Sequence, residues 1–169
     1  ALLSDKGSDG FISLREAITA ANNTANGSGG ADRIVFDITA PLVGGAHTIA
    51  LATDLPAVTD AVIIDGSSEP DFAGTPVVVL NGMDRTGPVD GLRIQAADST
   101  VRGLVINHFG NGALIRVDNA DRVHIVGNHL GTDVTGLVQA NDGDFGVRVW
   151  NSAGVLIGGT TASDRNIVA

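Results

Sequence analysis

The chain of 169 residues has no cysteine and no tyrosine, and only 4% of its residues are aromatic. The absence of cysteine leaves the fold class open, because a chain with a continuous core needs no disulfide bonds. Basic residues are scarce, at 10 against 19 acidic ones, which gives a net charge of −9. This balance disfavours nucleic acid as a partner, since no basic stripe is present to neutralise phosphates. No apolar run approaches the ~20 residues of a membrane span, so none is expected.

Glycine, by contrast, is abundant. The 23 glycines follow no strict three-residue period, which excludes collagen, and a hydrophobic content of 43% argues against disorder. Glycine at this level suits many tight corners between short strands. The length is sufficient for one domain with a substantial core.

A short apolar–arginine–apolar pattern occurs three times, at 92–94, 115–117 and 147–149. The last two copies keep register over a longer stretch, because 115–127 match 147–159 at a constant offset of 32. Such a repeat indicates a stacked unit that cannot bury its apolar face alone. The sequence therefore predicts an all-β coil of short parallel strands, in which each rung lies ~4.8 Å above the previous one.

If equivalent residues of successive copies stack on one another, their side chains form columns. The expected inward columns are Leu92/Ile115/Val147, Ile94/Val117/Val149, Val101/Val123/Val155 and Leu104/Ile125/Ile157. The first copy matches the second at offsets that shrink from 23 to 21. Asn107 and Asn128 should therefore form an inward corner ladder of amides. His108 and His129 should stack beside it as exposed polar residues, because two imidazoles alone make a poor zinc site.

One helix is expected, roughly over 14–23. Ser13 and Glu16 fit a capping box, in which each side chain bonds the backbone N–H of the other residue. Apolar residues at four positions give this helix one apolar face, so it can plug the open end of a coil. Arg15 is expected to help cap and dock the helix. A cap over 1–31 would thus precede the rungs over 32–169.

Ten short strands are predicted after the cap, separated by clusters of turn-forming residues. They cover 33–38, 48–51, 61–65, 77–80, 91–95, 101–107, 114–117, 123–126, 146–150 and 155–157. Loops over 67–76 and 132–145 are expected as insertions. A β-sandwich would share this strand spacing, but it has no reason to repeat the arginine pattern.

Several stretches carry a family resemblance. Residues 12–18 read Ile-Ser-Leu-Arg-Glu-Ala-Ile, 31–36 read Ala-Asp-Arg-Ile-Val-Phe, and 128–133 read Asn-His-Leu-Gly-Thr-Asp. With these the chain resembles the CSLREA-type modules of large secreted or surface bacterial proteins, although isoleucine replaces the family's cysteine. The resemblance implies a right-handed parallel β-helix with the fold of the pectate-lyase-like (pectin lyase-like) superfamily, and an extracellular or cell-surface location. It implies no particular activity, since that superfamily holds enzymes and non-enzymes alike.

The repeated arginines are candidates for glycan binding. Arg93, Arg116 and Arg148 should stack on one outward face, where they repel one another unless anions intervene. They could form a cationic stripe for acidic polysaccharide, with Trp150 beside it as a platform for a sugar ring. The alternative is an arginine ladder offset by nearby carboxylates such as Asp98 and Asp118.

The second inserted loop is a candidate calcium site. Its oxygen-bearing side chains are those of Asp133, Asn141, Asp142 and Asp144. Calcium takes six to eight oxygen ligands, which such a loop can supply. The alternative is a plain loop of Asx-turns, since the spacing matches no established calcium motif. No other cofactor is expected.

Three aspartates are candidates for polysaccharide cleavage: Asp84, Asp90 and Asp98. A glycosidase needs two carboxylates ~5–9.5 Å apart across a bound sugar. The sequence shows no clear acid–base set, so no catalytic residue is assigned.

The sequence thus favours a structural or adhesive module, a single domain excised from a larger exported protein. The alternatives are a carbohydrate-active or carbohydrate-binding β-helix and a calcium-stabilised spacer. The expected partners are polysaccharide, or neighbouring modules and copies that meet an open C-terminal edge.

Overall fold

A computed structural model of the chain describes residues 10–83, 87, 89–140 and 143–169. In these ranges the chain forms one α-helix, α1 (Leu14–Asn23), and thirteen short strands. The strands are β1 (Asp32–Val35), β2 (His47–Ala50), β3 (Val62–Asp65), β4 (Val78–Asn81), β5 (Leu92–Ile94), β6 (Thr100–Arg102), β7 (Leu104–Asn107), β8 (Ala113–Asp118), β9 (His124–Val126), β10 (His129–Leu130), β11 (Phe145–Trp150), β12 (Leu156–Ile157) and β13 (Ile167–Val168).

The strands form three sheets, and all pairings between these strands are parallel. Two sheets have five strands each, in the orders β1-β3-β6-β9-β12 and β13-β10-β7-β4-β2. The third sheet has the order β11-β8-β5. The chain visits the sheets in turn, from β5 through β6 to β7 and then from β8 through β9 to β10. This arrangement is consistent with the β-rich, solenoid-like fold that the repeat predicts.

The repeated arginine pattern stacks as predicted. Leu92 pairs with Ile115, which pairs with Val147, and the file Ile94/Val117/Val149 runs beside it. The arginines between these two files are also in register. Two of the four predicted inward columns are therefore confirmed.

In the other two predicted columns Ile125 lies opposite Ile157 as predicted, but the members from the first copy are wrong. Val101 lies opposite Ile125, which lies opposite Ile157, and Leu104 belongs to a different sheet, where it pairs with Val78. The cause is a longer turn: five residues lie between Ile94 and Thr100, but six lie between their partners Val117 and His124. The offset between the rungs therefore grows by one residue after β5, whereas the sequence match suggested that it shrinks.

The predicted strand over 101–107 is two strands, β6 and β7, which belong to different sheets. The bend lies at Gly103, whose φ is +68°. A Cβ atom there would lie 2.5 Å from the backbone nitrogen of Ser67 in the adjacent rung. Glycine is thus required both by the left-handed backbone and by the close approach of the neighbouring corner.

The predicted Asn107–Asn128 ladder is also wrong, and both residues have other partners. His129 lies opposite Val105, so Asn128 faces the start of β7. Its side chain accepts a hydrogen bond from Leu104 N (3.1 Å) and donates to Val101 O (3.0 Å) and to the side chain of Asn166 (3.2 Å). An amide ladder therefore exists at this corner, but it joins Asn128 to Asn166.

Asn107 stands at the end of β7, opposite Asn81. Its side chain donates to Thr132 O (2.9 Å). His108 contacts the Asn107 amide (2.9 Å), whereas His129 lies beside Val105, so the two histidines do not stack. His129 is also buried rather than exposed, and burial lowers the pKa of its imidazole.

Helix α1 begins and ends where the sequence predicts. Ser13 is the N-cap, and the capping box with Glu16 is formed in both directions. Arg15 donates to the carbonyl of Thr53 (2.9 Å) and to that of Asp54, which docks the helix on the loop after β2. Leu14, Ile18 and Ala21 on its inner face join the hydrophobic core of the rungs.

Burial falls sharply in the last rung. The side chains of Ile115 and Val117 are fully buried, whereas Val149 is 39% exposed and Ile157 is 51% exposed. Strands β11, β12 and β13 each lie at the edge of their sheet. In the described part of the chain, the outer edges of these three strands are therefore unpaired, with apolar side chains beside them. Within the described ranges, no helix has the length and apolarity to cross a membrane.

Candidate functional site

The outward arginine ladder is largely neutralised. Asp118, at the end of β8, accepts hydrogen bonds from Arg93 Nε (3.0 Å) and Arg116 Nε (3.0 Å). Arg116 also lies 3.4 Å from Asp90. Burial by itself raises the pKa of Asp118, but the hydrogen bonds from the two guanidinium groups outweigh it and hold that pKa below its usual range. The carboxylate-offset alternative is therefore confirmed for Asp118.

Asp98 does not take part in the ladder. Both of its oxygens accept from Arg122 at 2.6 Å, in an exposed two-point ion pair on the turn before β9. The turn before β9 is one residue longer than the turn before β6. This extra residue, which also shifts the predicted columns of side chains, brings Arg122 opposite Asp98. Asp98 and Asp90 are thus both engaged by arginines, and Asp84 lies outside the described residues.

Arg148 differs from the other two arginines of the ladder. Among the residues that the structure describes, no carboxylate forms an ion pair with it. Its guanidinium instead lies over the ring of Phe145, 5.5 Å from the centroid. Phe145 is 47% exposed and Trp150 63% exposed on the same strand. The predicted cationic stripe is thus reduced to one arginine without a carboxylate partner among the described residues, on a strand with two exposed aromatic side chains.

A second arginine–aspartate cluster was not predicted. Asp65, at the end of β3, is fully buried and accepts from Arg102 (2.6 Å), from Arg33 and from the Ser67 hydroxyl (2.5 Å). Burial raises its pKa, but these hydrogen bonds outweigh burial and leave the pKa far below the usual range. The sequence signal for this cluster is an aspartate at the end of an apolar strand, because a buried carboxylate needs hydrogen-bonding or cationic partners.

The candidate calcium loop is described only in part, because Asn141 and Asp142 lie outside the described residues. Asp133 Oδ1 accepts from the Thr135 hydroxyl (2.7 Å), and this hydrogen bond lowers the pKa of Asp133. The backbone N–H of Asp144 donates to Gly112 O (3.0 Å). Asp133 Oδ1 also accepts from Val138 N (3.4 Å), so this side chain is engaged within its own loop, and the calcium site stays a prediction.

One cluster with metal-binding side chains stands out in the described part of the chain. His47 Nε2 lies 3.0 Å from Asp71 Oδ2 and 3.7 Å from Glu69 Oε1. One ligand atom from each residue lies within 4.8 Å of the others. No pattern in the sequence indicates this cluster, because His47 begins β2 while Glu69 and Asp71 belong to the loop after β3.

An apolar cleft of about 600 Å³ lies between α1 and β1. Its walls are mainly Leu14 and Ala17 on the helix and Ile34 and Phe36 on the chain that follows it. Asp32 and Arg33 are its charged lining residues. Arg33 is engaged by Asp65, so the cleft holds no evident acid–base pair among the described residues.

Comparison of the chain with protein-family models, with curated proteins and with solved structures gives no match in any of the three.

Proposed function

We propose that the chain is a structural or adhesive module, a right-handed parallel β-helix of the CSLREA type within a large exported bacterial protein. The observation that carries the proposal is the register of the repeat, in which Ile94, Val117 and Val149 occupy three successive rungs. Files of this kind make a continuous core and a stiff, quasi-one-dimensional body. Right-handedness is the expected choice, because parallel crossover connections have that hand in about 98% of cases.

The open end of the fold supports a stacking role. Strands β11, β12 and β13 are all edge strands there, and Val149, Leu156 and Ile157 are exposed beside them. Unpaired edges with apolar side chains are templates for further strand pairing. We infer that a further β rung, from a neighbouring module or a second copy, pairs at this end.

Sedimentation of the purified chain over a range of concentrations tests stacking. We expect the wild type to associate as concentration rises, and Ile157→Lys to remain monomeric because a charge then faces the open edge. Val43→Lys is the matched control, since Val43 is 79% exposed outside the strands. A wild type that stays monomeric throughout, or equal association in both variants, would contradict the stacking role.

A second candidate function, contact with an anionic glycan, is favoured by one observation. Arg148 has no carboxylate partner among the described residues, lies over the ring of Phe145, and shares its strand with Trp150; both aromatic side chains are exposed. An arginine beside aromatic faces suits a carboxylated sugar, because the guanidinium binds the carboxylate while a ring stacks on the sugar. The neutralised Arg93 and Arg116 are expected to contribute little.

Retention on immobilised polygalacturonate tests this contact. We expect the double variant Arg148→Ala/Trp150→Ala to elute earlier than the wild type. Arg122→Ala, which removes one exposed arginine elsewhere, should elute close to the wild type. Equal elution of all three proteins would rule out the contact. Unsaturated products or new reducing ends from the same polymer would instead favour the carbohydrate-active alternative.

A further inference from the structure

We propose that His47, Glu69 and Asp71 bind a divalent transition-metal ion, with zinc the best fit, and that this ion ties the first rung to the second. His47 is the first residue of β2 in the first rung, whereas Glu69 and Asp71 lie in the loop between β3 and β4 of the second. The proposed ion is therefore a clip between two neighbouring turns of the coil.

The distances between the three ligand atoms fit a tetrahedral ion. Zinc bonds to histidine nitrogen and carboxylate oxygen at ~2.0–2.2 Å, so two ligands of a tetrahedral site lie ~3.3–3.5 Å apart. His47 Nε2 lies 3.0 Å from Asp71 Oδ2 and 3.7 Å from Glu69 Oε1, which brackets that spacing. The oxygens of Glu69 and Asp71 lie within 4.8 Å of each other, so movement of the half-exposed Asp71 side chain would complete three of the four positions, and water would take the fourth.

Burial and charge also favour a cation at this position. The side chains of His47 and Glu69 are 3% and 1% exposed. Glu69 Oε2 accepts from the backbone N–H of Ile38 (3.0 Å), which leaves Oε1 directed at the imidazole. In the described part of the chain no arginine or lysine pairs with Glu69, whereas the buried Asp65 has two arginines. A divalent ion would balance the charge of the two carboxylates.

The backbone holds the ligands in place. His47 N donates to Val77 O (2.8 Å) as β2 pairs with β4, which fixes the histidine on a strand. A turn of 3-10 helix at Gly66–Ser68 leads into Glu69, whose N–H donates to Gly66 O (3.3 Å), and Phe72 N donates to Glu69 O (2.9 Å). The Asp71 side chain is 48% exposed, so an ion can enter from solvent on that side.

The mixed donor set selects among metals. An imidazole suits zinc, copper, iron and nickel, whereas calcium and magnesium prefer oxygen ligands alone. This site is therefore distinct from the candidate calcium loop around Asp133. An ion at Nε2 requires the imidazole tautomer that carries its proton on Nδ1.

Titration of the full chain with zinc chloride by calorimetry, after removal of any histidine tag, tests the site. We expect one ion per wild-type chain. Asp71→Ala should weaken binding by more than about tenfold, the loss that disturbing even an outer-sphere partner causes. His124→Ala is the matched control, because His124 is exposed on β9 and belongs to no such cluster. Cobalt chloride should give the visible absorption of a tetrahedral ion in the wild type and the control.

Asp71 is half-exposed, so its removal should leave the fold intact, which circular dichroism verifies. Zinc should raise the melting temperature of the wild type and of His124→Ala but not that of Asp71→Ala. His47→Gln provides a second variant at the nitrogen ligand. The proposal is overturned if the wild type binds no zinc, or if Asp71→Ala and His47→Gln bind it as tightly as the wild type. A zinc-free cluster would then be a histidine–carboxylate hydrogen-bond network.

Discussion

Two valines of one core file allow a matched test of the stacked architecture. Val117 and Val149 are direct partners on adjacent strands, so they share residue type, sheet and file. Val117 is fully buried, whereas Val149 is 39% exposed because no strand covers it. Substitution of each valine by alanine should therefore cost different amounts of stability, although the chemical change is the same.

The magnitudes follow from burial. Valine to alanine removes two carbon groups, at about 0.8 kcal/mol each, or about 1.6 kcal/mol for a buried site. A residual cavity at Val117 should raise the cost of Val117→Ala to about 2–3 kcal/mol. At Val149 about 60% of the transfer cost applies, and the space left is open to solvent. Val149→Ala should therefore cost about 1 kcal/mol.

Urea unfolding followed by far-UV circular dichroism measures both costs, at a protein concentration where sedimentation shows a monomer. The two variants should keep the wild-type dependence on urea, so that the shift of the midpoint reports stability. Equal losses, or a larger loss for Val149→Ala, would refute the claim that this file runs from a closed interior to an open end.

Three further predictions concern the corner, the buried carboxylate and the helix cap. A Cβ atom at Gly66 would lie 2.1 Å from Gly103 O. Gly66→Ala should therefore lose about 1–3 kcal/mol of unfolding free energy, measured in urea. The control Gly110→Ala, at a position with open space around it, should change the unfolding free energy by no more than about 0.5 kcal/mol. Similar values for both would contradict the close approach of the corners. Because the folded-state pKa of Asp65 is depressed, its stabilising contribution is present above its unfolded-state pKa of about 3.9 and is lost as pH falls further. Asp65→Asn should therefore be less stable at pH 7 and lose less stability between pH 5 and pH 2 than the wild type, and parallel acid profiles would argue against this. Ser13→Ala should lower the unfolding free energy by about 1 kcal/mol, measured in urea, while an unchanged midpoint would mean that the cap contributes nothing.

Features governed by local or repeated sequence could be predicted. The bounds of α1 follow from a capping box and an apolar face, both of which depend on residues within one or two turns. The register of Arg116 with Arg148 follows from a repeat with constant offset, because identical turns return the chain to the same place. In both cases the geometry is determined by residues close in sequence or by a repeat of constant length.

Features that depend on turn length or on rungs without visible repeats could not be predicted. A single extra residue before β9 raises the offset between rungs from 23 to 24, whereas the sequence match lowers it to 21 at the asparagines. Arg102 lies opposite Asp65, and Arg33 reaches Asp65 from a position opposite Ile63; no repeated pattern signals either contact. Clusters across such rungs, including His47 with Glu69, emerge only when the strands are paired.

Among the described residues, Arg148 lacks a carboxylate partner for the same reason that the edge of its sheet is open. The two proposed roles, stacking and glycan contact, therefore compete for this edge. Arg93 and Arg116 are neutralised by Asp118, which lies within reach of both because their strands are adjacent. Arg148 lies on β11, which has a neighbour on one side only. A further rung stacked on β11 would cover Val149 and could bring a carboxylate to Arg148, just as β8 does for Arg93. Retention on polygalacturonate should therefore weaken at concentrations where the chain associates, whereas retention independent of association would show that Arg148 serves the glycan alone.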